Sequence, residues 1–385
     1  MTVQQRPEIR FLSELYAADV PSAVLLAEYP SSNSNAATFQ NQSKYIIHDP
    51  FPPPPVELLK QLGPHHLMYG WGQSLPVTSD VCPPAELLEH WERVLGAESC
   101  PHWQPLDSSS RYVTLFPLES ISADRQVVDP EVNYAIHSKE VIQQIDCAQA
   151  DVLPSVVPPC IVKLSHGYAG LGNFLVNSPD DEAAMRQQLA AHWPDAVLVV
   201  NSVIQDIAGD FGVQFYLHRD GQLVWLGFTE QAFNDQGKWC GGSYSADSQI
   251  QQFDQFCKMI EPVGRYLHSV GYFGVVGIDI LCDRFGQQFL VDVNPRLTGI
   301  SPFLMASRMF AQDGLRHGVY RASCSFPGSM SELFETVENQ KDVRVTVLSV
   351  VENPNGQTTI CHLAANSDSH QANHATLDSL TVPNL

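Results

Sequence analysis

A chain of 385 residues is long enough for two or three domains, each burying its own core. Its 21 Lys and Arg stand against 42 Asp and Glu, a formal charge of −21. That balance excludes a general pull toward nucleic acid or anionic lipid, and any polyphosphate site must be locally basic. Nine cysteines, an odd count with no Cys-x-x-Cys pair, suit neither a disulfide framework nor a zinc site. Cys160 and Cys282 sit in apolar runs, where a reduced thiol acts as a small hydrophobe. With no apolar run of about 18 residues and no signal-peptide core in MTVQQRPEIR, the expectation is a cytoplasmic protein without a membrane partner.

In chain order, Ala23 to Ala27 reads as a buried strand, followed by the polar loop SSNSNAATFQNQS. FPPPP then precedes a helix expected over Val56 to Leu62. Up to about residue 130 strands and helices mix without a glycine-rich phosphate loop. Ser138 can cap a helix running toward Cys147, and prolines bracket the approach to a strand at Cys160 to Leu164. Next come a short strand Phe174 to Val176, a helix opening at Ser178-Pro179 and reaching Trp193, and a strand Val197 to Ile204. Asp220-Gly221 is the turn of a hairpin between Gln214–Leu217 and Leu223–Leu226. Ile250, Phe253, Cys257, Ile260, Val263, Leu267 and Val270 recur at helical spacing, the stripe of a long core-facing helix. Val343 to Val351 is a strand, and the polar stretch from about Asn366 is expected to be mobile.

The most informative segment is GVVGIDILCDRFGQQFLVDVNPRLTG, residues 274–299. It reads as two strands joined by a tight turn near Arg284 to Gln287. Placing Asp279 opposite Asp292 also places Ile278 opposite Val293 and Ile280 opposite Val291, so one face is apolar and the other carries the acids. Asp279, Asp292 and Asn294 gathered there suit a hard, oxygen-preferring cation such as Mg²⁺, although the segment alone also fits an ordinary solvated face. Arg296, in Asn294-Pro295-Arg296, adds a cation where transferred charge needs stabilising; a plain salt bridge is its alternative use.

The second informative segment is CIVKLSHGYAGLGNFLV, residues 160–176. Gly167, Gly170 and Gly172 between two strands let backbone N–H groups approach a polyphosphate, although the loop alone fits a purely structural glycine-rich hairpin better. It is neither a P-loop nor a dinucleotide fingerprint, since no Gly-Lys-Ser/Thr follows and a strand comes next. Lys163 lies in the apolar strand leading into this loop, where a lysine calls for a charged partner. Lys139, at the start of the preceding helix, is a second candidate cation or an ordinary exposed helix-end lysine.

These parts in this order, over residues 136–310, resemble the ATP-grasp superfamily. The resemblance implies an α+β fold in which ATP lies between two lobes with antiparallel sheets, preceded by a smaller α/β domain. The corresponding division is 1–135, 136–320 and a C-terminal extension, 321–385. It implies ATP and Mg²⁺ as cofactors, with Mn²⁺ as an alternative cation. By position, Lys139 and Lys163 become the nucleotide-contacting lysines, Gly167 to Gly172 the phosphate cover, and Asp279, Asp292 and Asn294 the metal ligands. Arg296 becomes the residue that steadies the transferring phosphate. The hinge strand falls at Val200 to Ile207, with Gln205 and Asp206 near the adenine and Asp210 at the ribose. Asp292 departs from the family's usual Glu by one methylene. Thr229-Glu230-Gln231 and residues 237–246 fall where substrate contacts are common; Tyr244 and Arg308 are either carboxylate binders there or plain core and surface residues.

The implied reaction joins a small-molecule carboxylate to an amine, commonly an amino acid, through an acylphosphate with release of ADP. The resemblance leaves room for a homodimer. A small-molecule kinase and a non-catalytic nucleotide-binding regulator share the fold and differ by product. No biotin-carrier region is evident.

Overall fold

The computed structural model describes residues 1–28, 44–47, 56–167, 172–235, 237–353 and 356–383. The polar loop SSNSNAATFQNQS and the glycine-loop member Gly170 lie outside these residues. The N-terminal region carries β1 (Val3–Gln5), α1 (Leu12–Asp19), β2 (Ala23–Leu26), α2 (Val56–Met68), β3 (Val77–Thr78), α3 (Ala85–Leu95), β4 (Arg111–Val113) and α4 (Pro130–Ile136). Strands β3, β2 and β4 form a parallel sheet in that order. All four residues of β2, Ala23-Val24-Leu25-Leu26, are buried, as a central parallel strand covered on both faces requires.

A short 3₁₀ turn, Lys139–Gln144, leads to β5 (Cys160–Leu164), β6 (Asn173–Val176), α5 (Pro179–His192) and β7 (Leu198–Ser202). The antiparallel sheet β6-β5-β7 is covered on one face by α5 through Cys160, Val162, Leu164, Val176, Met185 and Leu189. Ser178 starts α5 by accepting from the Asp181 N–H, with Pro179 in the first turn. Ser138 does cap, accepting from Glu140 N–H, but the turn ends at Gln144 rather than reaching Cys147.

The rest of the chain forms β8 (Ile207–Leu217), β9 (Leu223–Phe233), β10 (Trp239–Ser245), α6 (Ala246–Ser269), β11 (Gly274–Asp283), β12 (Gln288–Asn294), α7 (Ser301–Gln312), β13 (His317–Phe326), α8 (Met330–Glu338), β14 (Arg344–Glu352), β15 (Thr359–Ser367), α9 (His370–Leu380) and β16 (Val382–Pro383). One ten-stranded sheet runs β12-β11-β8-β9-β10-β13-β15-β14, with β1 paired to β9 and β16 to β13. The β8–β9 turn is made by Gly221 at φ +87° and by Asp220, which accepts from the Gln222 N–H. Helix α6 seals one face with Phe256, Ile260, Val263 and Leu267 over Phe215 and Val276. Ile250, placed in the same stripe by its spacing, is instead 71 % exposed: it stands in the first turns, outside the stretch that reaches the core.

Two expectations about the C-terminus are corrected. A boundary at 320/321 would cut through β13, which pairs with both β10 and β15, so residues 321–383 extend the large sheet. The polar end also carries a helix and a short strand through Pro383: α9 is capped by Ser369, and its few apolar residues fall on one side, burying Leu377 and Leu380 beside Asn373. The boundary at 135/136 falls inside α4. The N-terminal region is tied to the far sheet edge at a bulge in β14, where Trp91 Nε1–H donates to the Val347 carbonyl (2.9 Å) and the Val347 N–H donates to His90 Nε2 (3.0 Å).

Leu377→Ala should lower unfolding free energy by about 2–5 kcal/mol in a urea titration, the usual cost of truncating a fully buried leucine. An unchanged midpoint would mean that α9 does not dock in solution.

Candidate active site

The hairpin β11–β12 sets the site. Its turn is closed by Asp283, whose carboxylate accepts from the N–H groups of Phe285 and Gln287 (2.8 and 2.9 Å), with Gly286 at φ +82°. Ile278 pairs with Val293 and Asp279 with Asp292, as the apolar pattern requires. The third expected pair does not form. A bulge follows Asp279, so that Ile280 faces Leu290 and Val291 becomes the extra residue.

The bulge has a consequence for Lys163. Its Nζ donates to the Val291 carbonyl at 2.7 Å, bringing the strand lysine of β5 onto the acidic hairpin of the large sheet. Burial holds this ammonium below the usual lysine range, with the carboxylates of Asp292 and Asp279 acting against that shift. Lys139 approaches from the 3₁₀ turn and donates to both oxygens of Asp292 at 2.6 and 2.7 Å. Its own position is fixed by its N–H donating to the Ser165 carbonyl (2.8 Å) and by the Ser138–Ser165 hydroxyl pair (2.8 Å).

Among the described residues, Asp279 has no cation of its own. Gln231 Nε2 donates to one of its oxygens at 2.9 Å and Asn294 Nδ2 reaches the other at 3.4 Å. Burial, followed by the charges of Asp292 and Asp210, pushes its carboxyl up to about 7. Asp279, Asp292 and Asn294 thus supply only hard oxygen donors on one sheet face around an under-compensated carboxylate, a set that fits a Mg²⁺-like cation. Among the described residues no group of three or more His, Cys, Asp or Glu makes an alternative metal cluster.

Arg296 is buried and, among the described residues, makes no carboxylate pair. Its guanidinium donates to Asn294 Oδ1 (3.0 Å) and to the Leu297 carbonyl (3.1 Å), and lies 5.0 Å from the centre of the Phe116 ring. Its Nε is buried without a partner. The salt-bridge alternative is therefore not what the structure shows. Phe116 comes from the N-terminal region, whose sequence carries no readable chemistry; only the fold brings it under the arginine. His137, ring to ring with Phe116 at 4.7 Å, is similarly silent in sequence.

The remaining candidates divide. Gly167 and Gly172 both close on Leu164: a Cβ at Gly172 would lie 2.9 Å from the Leu164 side chain, and Leu164 N–H donates to the Gly172 carbonyl at 2.9 Å. The face of the small sheet that carries Lys163 also carries Ile161 and Leu175, cross-strand neighbours, and Leu175 is 55 % exposed. The alternation of β5 and β6 is the signal that would have found this apolar patch. Between β7 and β8, Gln205 is exposed, while Asp206, at φ +57°, is held by Arg284 through an ion pair of 3.1 Å and an N–H to carbonyl bond of 2.9 Å. Asp210 lies on the acid face opposite Leu281, and burial pushes its carboxyl up to about 6.

Of the expected substrate contacts, Gln231 reaches the acids, but Thr229 is buried and Glu230 points to solvent. Tyr244 is buried in the core, and Arg308 donates to the carbonyls of Arg6 (2.9 Å), Trp225 and Leu226. These two are structural: Arg308 fastens the N-terminal segment to β9.

A family model described as L-aspartate–L-methionine ligase, ATP grasp, matches residues 137–294, the stretch from His137 to Asn294 that holds both lysines and the acid ladder. A [butirosin acyl-carrier protein]–L-glutamate ligase of Niallia circulans is 22 % identical over 174 residues, 42 % of this chain and 39 % of that protein. The chain thus spans about two fifths of the length of this curated relative. Among solved structures, N5-carboxyaminoimidazole synthetase of Staphylococcus aureus, complexed with ADP, aligns with a TM-score of 0.52 at 12 % identity, covering 82 % of this chain and 93 % of that one. An L-amino acid ligase from Bacillus licheniformis aligns with a TM-score of 0.50 at 12 % identity, covering 84 % and 94 %. At these identities the structures speak for the fold alone, and with a family match that covers the stretch holding the site they lead to one conclusion: the chain has an ATP-grasp fold.

Proposed function

We propose that the protein is an ATP-dependent carbon–nitrogen ligase that activates a small-molecule carboxylate as an acylphosphate and joins it to an amine, an amino acid being the favoured class. The observation that carries this reading is the meeting of Lys139 and Lys163 from the small-sheet side with Asp279, Asp292 and Asn294 on one hairpin. Two cations facing a set of oxygen donors is what a magnesium nucleotide needs. The ligase names of the matched family and of the glutamate and L-amino acid ligases support it.

In this reading Asp279, Asp292 and Asn294 hold Mg²⁺ or Mn²⁺, which would supply charge neutralisation at the phosphates. Lys163 and Lys139 bind the phosphates, and Lys139 leaves Asp292 to do so. Ile161 and Leu175 offer an apolar surface for the base, and Asp210 an acceptor for ribose hydroxyls. The substrate carboxylate attacks the γ-phosphorus, the bond to the ADP oxygen breaks, and Arg296 balances charge on the transferring group. The amine then attacks the acyl carbon, phosphate leaves, and the amine loses a proton. Gly167 to Gly172 cover the phosphates and keep water from the acylphosphate.

Incubation with Mg²⁺, ATP and pools of amino acids and carboxylic acids should release ADP and phosphate with formation of an amide of matching mass. Formation of AMP would contradict the acylphosphate route. Asp292→Ala or Asn294→Ala should reduce ADP formation by about 100-fold or more, since even outer-shell metal contacts are worth 10–100-fold; normal turnover in both variants would overturn the metal assignment.

Lys139→Met addresses the pair directly. In the presence of chelator it should cost up to about 3 kcal/mol in unfolding free energy, because Asp292, partly buried, loses the ammonium on both its oxygens and keeps only the more distant Lys163. Asp292→Asn added to that variant should recover much of the loss. Equal stability of wild type and Lys139→Met would show that the pair is not what compensates the acid.

A further inference from the structure

Four inter-strand steps from the acid ladder, about 19 Å at ordinary strand spacing, the polar side chains of β13 and β15 form a second connected set. It begins at a backbone carbonyl. His66, on α2 and only 2 % exposed, places Nε2 2.6 Å from the Gly299 carbonyl. A carbonyl only accepts, so His66 Nε2 carries the proton; burial pushes this imidazole down to about 4, so it is neutral and its Nδ1 is a bare acceptor. Nδ1 of His362 lies 3.3 Å from that atom and must therefore be the N–H, with the Tyr320 hydroxyl 3.2 Å away on the same nitrogen. Burial, reinforced by His66, holds His362 well below the ordinary histidine range. Its Nε2 is then left with a lone pair, and the group facing that lone pair is the hydroxyl of Ser323, at 3.3 Å.

The backbone at Ser323 is unusual in the same place. Ser323 and Asp206 are the only non-glycine residues at positive φ among those described, and Ser323 sits at +52° inside β13, where the pairing with β15 shifts between Arg321 and Cys324. A left-handed serine in a strand is disfavoured and persists where surroundings impose it. The distortion turns the hydroxyl to the imidazole while leaving the residue partly exposed.

We infer that Ser323 is a nucleophile activated by His362, with His66 and the Gly299 carbonyl fixing the tautomer, and that it forms a covalent acyl-accepting site separate from the ATP-grasp ladder. The arrangement meets the geometric description of an activated hydroxyl: nucleophile on base, and base oriented by a third group. The substrate class is an activated acyl ester. Ser323 Oγ attacks the acyl carbon and the Oγ–C bond forms. The bond to the leaving oxygen breaks, the hydroxyl proton passes to His362 Nε2, and from there it neutralises the departing alkoxide or phenolate.

The test uses the full chain and p-nitrophenyl acetate, read by p-nitrophenolate release and by peptide mass. The expected result is a burst of product with an acetyl adduct mapped to Ser323. Ser323→Gly suits the left-handed backbone, removes only the hydroxyl side chain and should abolish both signals. His362→Gln should slow acylation by about 10²–10⁴-fold, the range for a general base. ADP release at the ladder should be the same in Ser323→Gly as in wild type, so failure here and failure of the ligase reading are told apart. An adduct that forms elsewhere, one that persists in Ser323→Gly, an acylation rate unchanged in His362→Gln, or no adduct on the folded wild-type chain would each overturn the assignment.

Discussion

Two carboxylates stand directly across a β-ladder at Asp279 and Asp292, and much of the surrounding structure answers that juxtaposition. Like charges in this arrangement repel, the more so where water is excluded. The fold meets the problem asymmetrically. Asp292 receives an ammonium on both oxygens, whereas Asp279, among the described residues, receives only amides, from Gln231 and Asn294. The large sheet positions Gln231, the 3₁₀ turn positions Lys139, and the bulge after Asp279 presents the Val291 carbonyl to Lys163. An acid pair with one member satisfied and the other not is poised to accept a further cation.

Much of this was legible because sheet periodicity leaves little freedom. The alternation of Ile278, Ile280, Val291 and Val293 with polar residues determined the partner of Asp279, and the single apolar-strand lysine marked β5. What failed was the pairing of Ile280, since a bulge adds one residue without leaving a mark in the apolar pattern. The end of the chain misled for a different reason. Helix α9 docks through Leu377 and Leu380 with Asn373, too few apolar residues to raise a helical period above the polar background. For Tyr244 and Arg308 the sequence leaves substrate contact and core packing both open, and neighbours far away in sequence, such as the Arg6 carbonyl, decide for packing. Phe116 under Arg296 was unreadable for that same reason.

The N-terminal region is therefore more than a support. It supplies the aromatic face on which Arg296 rests, and through Trp91 and His90 it satisfies the backbone groups that a bulge in β14 leaves open. In both cases an irregular position in the C-terminal part is completed by a side chain from the first 120 residues. Such complementary fits favour one relative arrangement of the layers over others that bury the same apolar area.

The attachment of the small sheet to the large one gathers on a single hairpin. Lys163 reaches Val291, Lys139 reaches Asp292, the Leu290 N–H donates to the Ala148 carbonyl, and Asp206 is held at the hairpin turn by Arg284. Charge and backbone hydrogen bonds cross the seam beside an apolar part, in which Val141, Ile142 and Ile145 pack with Leu290 and Val293. The polar contacts can be exchanged one for one with water, phosphate or a metal ion, whereas an apolar seam would have to expose its surface to part. The polar half of the junction is thus a replaceable set of bonds, and on the proposed reading a ligand that competes for them would enter where the lobes are held together, while the apolar half stays closed.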